Sequence, residues 1–388
     1  MRPHRVAFLI SHPIQYNSPL FKKIAEEPGI DLTVYYCSKE GLERMEDKGF
    51  GKDIAWDIPL LEGYKYKFLN NYSMLHTVSF APFGLFNPGI ISELKRGKFD
   101  ALIVHGWNYL TYWLAFAAAF YLKLPLILRS EMHLNQELLK PKWKLFLKKF
   151  LLGALFRGAS GFLAIGTENR EFYRFYGADE KKIFMVPYSV DNERFMAENK
   201  KLKMEREGLR EGLGISRDAK VILFAGKLIP KKRPLDLLKA YGKVTAADKA
   251  LVFVGDGRLR GELESFAKER RLENVFFAGF KNQSEIAQFY ALSDILVLPS
   301  VAGETWGLVV NEAMCFGLPV VVSDLCGCVA DLLEDGRNGY KFRAGDIDSL
   351  VSAIDKVMQE GQLPGMGGES LRIIAKWSYQ EEIGRAHV

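Results

Sequence analysis

The sequence predicts an α/β protein built from two doubly wound parallel sheets. Short apolar runs alternate with longer segments of helical period from one end of the chain to the other, the signature of repeated βαβ units. The pattern breaks once, over a charged stretch poor in large apolar residues, and then restarts. A length of 388 residues suffices for two cores of ordinary domain size.

The first half supplies the candidate strands "RVAFLIS" (5–11), "DLTVYYC" (31–37), "YKFLN" (66–70), "ALIVHG" (101–106), "LPLILRS" (124–130), "GFLAIG" (161–166) and "IFMVPYS" (183–189), with helical segments between most of them. The most lipid-like stretch, "YLTYWLAFAAAFYLKLPLIL" from Tyr109 to Leu128, is about long enough to span a bilayer. Lys123 and Pro125 divide it into a helix and a strand, so it reads as a buried helix on a parallel sheet. "KPKWKLFLKKFLLGALFRGA", Lys140 to Ala159, sets Lys142, Lys144, Lys148, Lys149 and Arg157 among Trp143, Leu145, Phe146, Leu147, Phe150, Leu151 and Leu152 at helical spacing. This is a cationic amphipathic helix, whose apolar face either packs on the first sheet or lies on an anionic membrane surface.

The break, 191–218, reads as an interdomain linker with a short lead-in helix. The strand pattern restarts with "KVILFAG" (220–226), "ALVFVG" (250–255), "VFFAG" (275–279), "ILVLPS" (295–300), "LPVVVSD" (318–324) and "NGYKF" (338–342). The expected organisation is a first domain over 1–190, the linker 191–218, a second domain over 219–370, and a last helix over 371–388. Two such domains facing each other leave a cleft at the carboxyl ends of both sheets, where doubly wound folds bind ligands. The final "IGRAHV", 383–388, looks like translated adapter DNA and is expected to interrupt a truncated crossover helix that starts near "WSYQEE".

Composition narrows the class. A net charge of +6, from 53 basic against 47 acidic residues, hints at anionic partners without requiring nucleic acid. Cys37, Cys315, Cys326 and Cys328 are too few and too oddly spaced for a disulfide framework or a zinc site, which suits a reduced cytoplasmic protein. "MRPHRVAFLISHPIQY" has a strand-length apolar run that ends in His and Pro, not at a signal-peptide cleavage site.

Two stretches carry chemistry. In "SVAGETWGLVVNEAMCFGLPVVVSD" a strand leads through a loop into a helix that Gly317 and Pro319 terminate. A phosphate at the helix start would meet the N–H groups of Gly307, Leu308 and Val309 and the positive end of the dipole. Glu304 then lies before the phosphate, and Glu312 roughly 8 Å of helical rise beyond it. That spacing suits hydroxylated groups on either side of a diphosphate, as in a nucleotide sugar; the alternative is a pair of solvent-facing charges. In "FAGKLIPKKRPLDLLKAY" the cations Lys227, Lys231, Lys232 and Arg233 follow a strand end, where they either neutralise a diphosphate leaving group or form a solvated basic loop. "VGDGRLRGELE" has G-x-G after a strand but no third glycine at dinucleotide spacing, so a tight turn suffices.

These residues carry a family resemblance. "GETWGLVVNEAM" resembles the E-x7-E element of retaining glycosyltransferases of the GT-B fold, family 4, and "GKLIPKK" resembles their diphosphate clamp. "VGDGRLRGELE" is similar to the family's common turn, "VPYSVDNERF" to the end of its first domain, and "SHPIQYNSPLFKKIA" to the start of the subgroup of surface-polysaccharide and lipopolysaccharide assembly. The likeness is dense from Lys220 to Phe342 and looser from Gly41 to Asn135.

The resemblance implies the GT-B architecture, with two Rossmann-like domains facing a central cleft. It also implies retaining transfer of a sugar from a nucleotide diphosphate sugar to a glycan or polyprenyl-linked acceptor, with no cofactor and no metal. Lys227 and Lys232 would hold the diphosphate, Glu304 the donor sugar's hydroxyls, Glu312 the ribose, Gly307 and Leu308 the phosphate through their amides, and Phe280 the base. The acceptor hydroxyl would be deprotonated with help from the leaving diphosphate, so no protein nucleophile is required. Where the family has a histidine after the strand "LPLILRS", this chain has Glu131 and, two positions on, His133; either could serve. His12 and His105, at strand ends of the first half, are expected on the acceptor side. The expected place of work is the cytoplasm, with peripheral contact to an anionic membrane through 140–159. The rival readings are a hydrolysing nucleotide-sugar epimerase of the same fold and a catalytically silent binding module; a dehydrogenase lacks its glycine fingerprint.

Overall fold

A computed structural model of the chain describes every residue except Met1, Glu43, Arg44, Lys48, Phe50, Ala302, Glu360, His387 and Val388. The chain divides into two units. The first comprises 1–45, 54–188 and 379–388, and the second 46–53 and 189–378. In chain order the strands are β1 (His4–Ile10), β2 (Ile30–Tyr36), the short pair β3 (Met45–Asp47) and β4 (Lys52–Ile54), β5 (Lys65–Phe68), β6 (Ala101–His105), β7 (Leu126–Ser130), β8 (Gly161–Ala164) and β9 (Ile183–Met185). They continue with β10 (Lys220–Ala225), β11 (Lys249–Val254), β12 (Val275–Gly279), β13 (Ile295–Leu298), β14 (Val320–Ser323) and β15 (Gly339–Phe342).

The first sheet runs β5-β2-β1-β6-β7-β8-β9 and the second β12-β11-β10-β13-β14-β15, both parallel. Every strand expected from the apolar runs is present, so the α/β class with two Rossmann-like sheets is the one found. The short β3–β4 pair is additional: its segment is charged and has no apolar alternation to announce it.

Central strands buried on both faces explain why the runs are apolar throughout instead of alternating. All four residues of β13 and of β14 are buried, and so are five of the six in β10. The Leu110–Leu122 helix ends at Lys123, which takes a left-handed conformation (φ 54°) and turns the chain into β7. The lipid-like stretch is therefore a helix followed by a strand, as its Lys and Pro implied. Among the described residues no helix is long and apolar enough to cross a membrane.

Residues 191–218, expected as linker with one short helix, hold two helices, Asn192–Leu202 and Arg206–Gly212, within the second unit. Buried Arg210 fixes the second of them by pairing with Asp294 at 2.7 Å and donating to the Leu292 carbonyl at 2.8 Å. The last helix, Tyr379–Ala386, belongs to the first unit and runs on through Ile383, where an interruption was expected. Packing accounts for this, since Ile383 and Tyr379 are buried against Leu20. His387 and Val388 of that stretch lie outside the described residues.

Candidate functional site

In an open parallel sheet, ligands bind beyond the carboxyl ends of the strands, where neighbouring strands lead their chains in opposite directions. In the second unit that point lies between β10 and β13: the chain goes outward from β10 to β11 and β12, then returns to β13. The loops after these two strands carry the lysines and Glu304. After β10 come Gly226 and Lys227, then a 3-10 turn at Pro230–Lys232. After β13 comes the 299–307 loop, leading to the Leu308–Cys315 helix.

The two loops are stitched together. Val301 N–H donates to the Lys231 carbonyl at 2.9 Å, and Lys231 Nζ donates to the Gly303 carbonyl at 3.1 Å. Lys232 Nζ pairs with Glu304 Oε2, which also accepts from Ser300 Oγ at 2.9 Å. Both side chains of the pair are mostly buried, where a charged pair is screened far less than at a surface. The glycines of "VGDG" serve packing. A Cβ on Gly255 would stand 1.9 Å from the Gly226 carbonyl oxygen, so this turn lies directly against the loop that carries Lys227.

Gly307 precedes the helix with a left-handed φ of 99°, and no side chain caps the helix start. The approach loop is pinned from behind: Gly327 N–H donates to the Glu304 carbonyl at 3.3 Å, and Cys328 N–H to the Trp306 carbonyl at 3.2 Å. Trp306 also donates from Nε1 to buried Asn311 at 2.8 Å and packs on Trp377, with ring centroids 5.3 Å apart. Glu304 and the amides of Gly307 and Leu308 therefore sit on a braced segment.

Glu312 lies in a separate network. Its Oε2 accepts from the buried Tyr290 hydroxyl at 2.5 Å. Burial pushes its carboxyl above the ordinary range, against the pull of Tyr290, Arg194 and Gln283. Arg194 in turn donates to the Gln283 carbonyl at 2.9 Å and to Gln283 Oε1 at 2.6 Å. Phe280 directly follows β12, at the outer edge of the sheet.

The first unit has its own turning point, between β1 and β6. His12 follows β1, and its Nδ1 bonds to Ser11 Oγ at 2.9 Å. His105 ends β6, with Nε2 3.5 Å from Glu131 Oε1, and the Tyr188 hydroxyl donates to that same oxygen at 2.7 Å. Burial would raise the Glu131 carboxyl, but contact with His105, the Tyr188 hydroxyl and the charge of Arg129 outweigh it and hold it at about 2. Burial, and after it His105, push His12 down to about 4. His133 is bonded elsewhere: it stands at the start of the Leu134–Glu137 helix, with Nδ1 2.5 Å from Asn135 Oδ1. Of the two candidates after β7, Glu131 is the one brought to His105.

The sequence reading missed Tyr188, Arg194 and Tyr290, and it missed Arg129, whose buried guanidinium pairs with Glu382 at 2.7 Å. Tyr188 and Arg194 both lie in "VPYSVDNERF", noted only as the end of a domain. That stretch mixes polar and apolar residues, so no local pattern singled them out.

Residues 205–371 match the family model described as Glycosyl transferases group 1. Over 158 residues the chain is 33% identical to an uncharacterized glycosyltransferase of Methanocaldococcus jannaschii, covering 40% of each chain, so the match spans less than half the length of that relative. Over 275 residues it is 28% identical to the UDP-Gal:alpha-D-GlcNAc-diphosphoundecaprenol alpha-1,3-galactosyltransferase of Escherichia coli, covering 69% of this chain and 68% of the other. The crystal structure of Anabaena Alr3699/HepE in complex with UDP and glucose superposes with a TM-score of 0.71 at 18% identity, over 99% of this chain and 98% of that one. That likeness is one of fold, and the fold is GT-B.

Proposed function

We propose, from the premise that residues 205–371 are a glycosyl transferases group 1 domain in a chain of GT-B fold, that the protein moves a sugar from a nucleoside diphosphate sugar to a glycan or lipid-linked acceptor with retention of configuration. The observation that carries the reading is the Lys232–Glu304 pair at the β10/β13 turning point, beside the start of the Leu308–Cys315 helix. A diphosphate there meets Lys232, Lys227 and the amides of Gly307 and Leu308. Once Lys232 turns to the phosphate, Glu304 is released to accept hydrogen bonds from the donor sugar's hydroxyls. Glu312 takes the ribose and Phe280 the base.

In the reaction, the acceptor oxygen bonds to the anomeric carbon on the face from which the diphosphate departs. The carbon–oxygen bond to the diphosphate breaks, and the acceptor's proton passes to the leaving diphosphate. The cations hold the charge that develops, so no metal is required.

We further propose that the acceptor is presented at the inner face of the cell membrane in surface-polysaccharide assembly, with the protein bound peripherally. Trp143, Phe146, Leu147, Phe150 and Leu151 form one stripe of the Lys142–Gly158 helix and are 51% to 81% exposed. Helical spacing puts Lys142 and Lys149 along one side of the stripe and Lys144 along the other. Only Leu152, Leu155 and Phe156 of this helix are buried. An apolar stripe edged by cations suits an anionic bilayer.

The deciding experiment incubates the protein with UDP-hexoses and alkyl glycosides and follows the products by mass. A glycoside heavier by one hexose supports transfer. Release of free epimerised sugar with no extended glycoside would replace it with the epimerase reading.

A further inference from the structure

Arg129 and Glu382 are each 3% exposed in their side chains, and Arg129 Nη2 stands 2.7 Å from Glu382 Oε1. A buried guanidinium needs a carboxylate close by, since an unpaired charge in the interior is costly. Within the first unit Arg129 acts electrostatically on two carboxylates, Glu382 and Glu131. It also lies over the Tyr188 ring, 5.6 Å from its centroid, and the hydroxyl of that ring donates to Glu131. Thus one arginine acts on two acids, and the last helix supplies the one with which it pairs.

We infer that Glu382 is a positioning residue: by holding Arg129 it leaves the Glu131 carboxylate to His105 and Tyr188, and Glu131 with His105 receives the acceptor's hydroxyl. This rests on the proposed transfer reaction for its purpose. Its structural content stands on the contacts themselves. The pair is suited to a hydroxyl group, because it offers a carboxylate oxygen as acceptor beside an imidazole, and the buried Nδ1 of His105 has no hydrogen-bond partner among the described residues. The other groups close by are accounted for. His12 is bonded to Ser11, and Tyr16 packs edge-on against Tyr188 with its carbonyl accepting from the Tyr379 hydroxyl at 3.2 Å. Without Glu382, Glu131 is the carboxylate among the described residues that still acts on Arg129, and capture by Arg129 would draw Glu131 off His105.

The test uses the full chain carrying E382Q, with its crystal structure, its thermal shift on adding UDP, and its rate with UDP-hexoses and alkyl glycosides. The structure is expected to show Arg129 hydrogen-bonded to Glu131. The UDP shift should stay as in the unaltered chain, and the transfer rate should fall on the order of tenfold to a hundredfold, as a misplaced group costs. E382D, which keeps the charge, should retain most of the rate. R129M/E382Q, which removes the stray cation as well, should recover it; because removing both charges would also relieve a purely structural loss, the rates are compared at a temperature where the UDP shift shows E382Q to be folded. An Arg129 that stays over Tyr188 in E382Q, or a double variant as slow as E382Q while folded, overturns the inference. If E382Q does not fold, R129M/E382Q, which leaves neither charge unpaired, decides: transfer is expected to continue, and a loss as deep as that of E131Q overturns the proposal. If the unaltered chain neither binds UDP nor transfers sugar, the functional reading fails, and the position of Arg129 in E382Q still decides the structural claim.

Discussion

Lys232 and Glu304 lie 72 positions apart in sequence and meet as a largely buried ion pair, with Ser300 bonded to the same carboxylate oxygen. The pair joins the loops after two adjacent strands of the second sheet, so a change at either residue is felt at the turning point of that sheet.

The two members should differ in what they lose. Lys232→Ala should abolish the thermal shift produced by UDP, and Glu304→Ala should leave most of it while lowering sugar transfer on the order of a hundredfold to a thousandfold. Both proteins should keep the far-UV circular dichroism of the unaltered chain. Equal and unimpaired turnover in both variants would remove these residues from the site.

Glu312 should trade stability for binding. Burial raises its carboxyl above the ordinary range, so the folded chain holds this proton more tightly than the unfolded chain. Stability is then favoured at low pH and declines as pH rises through the unfolded value toward the folded one. Glu312→Gln should therefore melt at or above the temperature of the unaltered chain at pH 7, with the difference shrinking in acid. The same substitution should weaken UDP binding if the ribose is read there. A lowered melting temperature at pH 7 would contradict the first half, and unchanged UDP affinity the second.

His12 makes an opposite prediction in acid. Its folded value of about 4 lies below the ordinary imidazole value of 6.5, because the ring is buried and close to His105. Its contribution is therefore present above pH 6.5 and is lost as pH falls toward about 4. His12→Asn should flatten the fall in melting temperature across that window. An unchanged slope would show that His12 takes up its proton as readily folded as unfolded.

The exposed stripe predicts membrane binding that needs both of its chemistries. The unaltered protein should float with vesicles containing phosphatidylglycerol and float poorly with pure phosphatidylcholine. Phe146→Glu/Phe150→Glu should abolish flotation without changing the melting temperature, because both side chains are exposed. Lys142→Glu/Lys149→Glu should weaken it by about 1 kcal/mol for each lysine removed from the surface potential. Equal flotation by all three proteins would mean that another surface is responsible.

How much of this was legible in the sequence depends on the range of each signal. The strands were legible because burial on both faces writes itself into local runs such as "VILFA" and "ILVL". Lys232 and Glu304 were legible because each stands at the end of such a run, in a loop that must approach its neighbour. The Arg129–Glu382 pair was not, since its partners lie on a strand and on the last helix and neither leaves a local mark. Nor could spacing decide between Glu131 and His133. They sit two positions apart in a loop, and only the folded loop shows that Glu131 meets His105 while His133 bonds to Asn135. Glu312 looked like the far half of a matched pair, whereas its surroundings of Tyr290, Gln283 and Arg194 come from elements remote in sequence.

The first unit is completed by residues 379–388, which follow the whole of the second unit in the chain. During synthesis, the strands β1 to β9 emerge long before Glu382, Tyr379 and Ile383 exist to cover Arg129 and Leu20. Until then the nascent first unit lacks both the acid that holds Arg129 away from Glu131 and the side chains that cover Leu20, and it closes only after the second unit has been made. The order of translation thus makes the second unit the first that can finish folding.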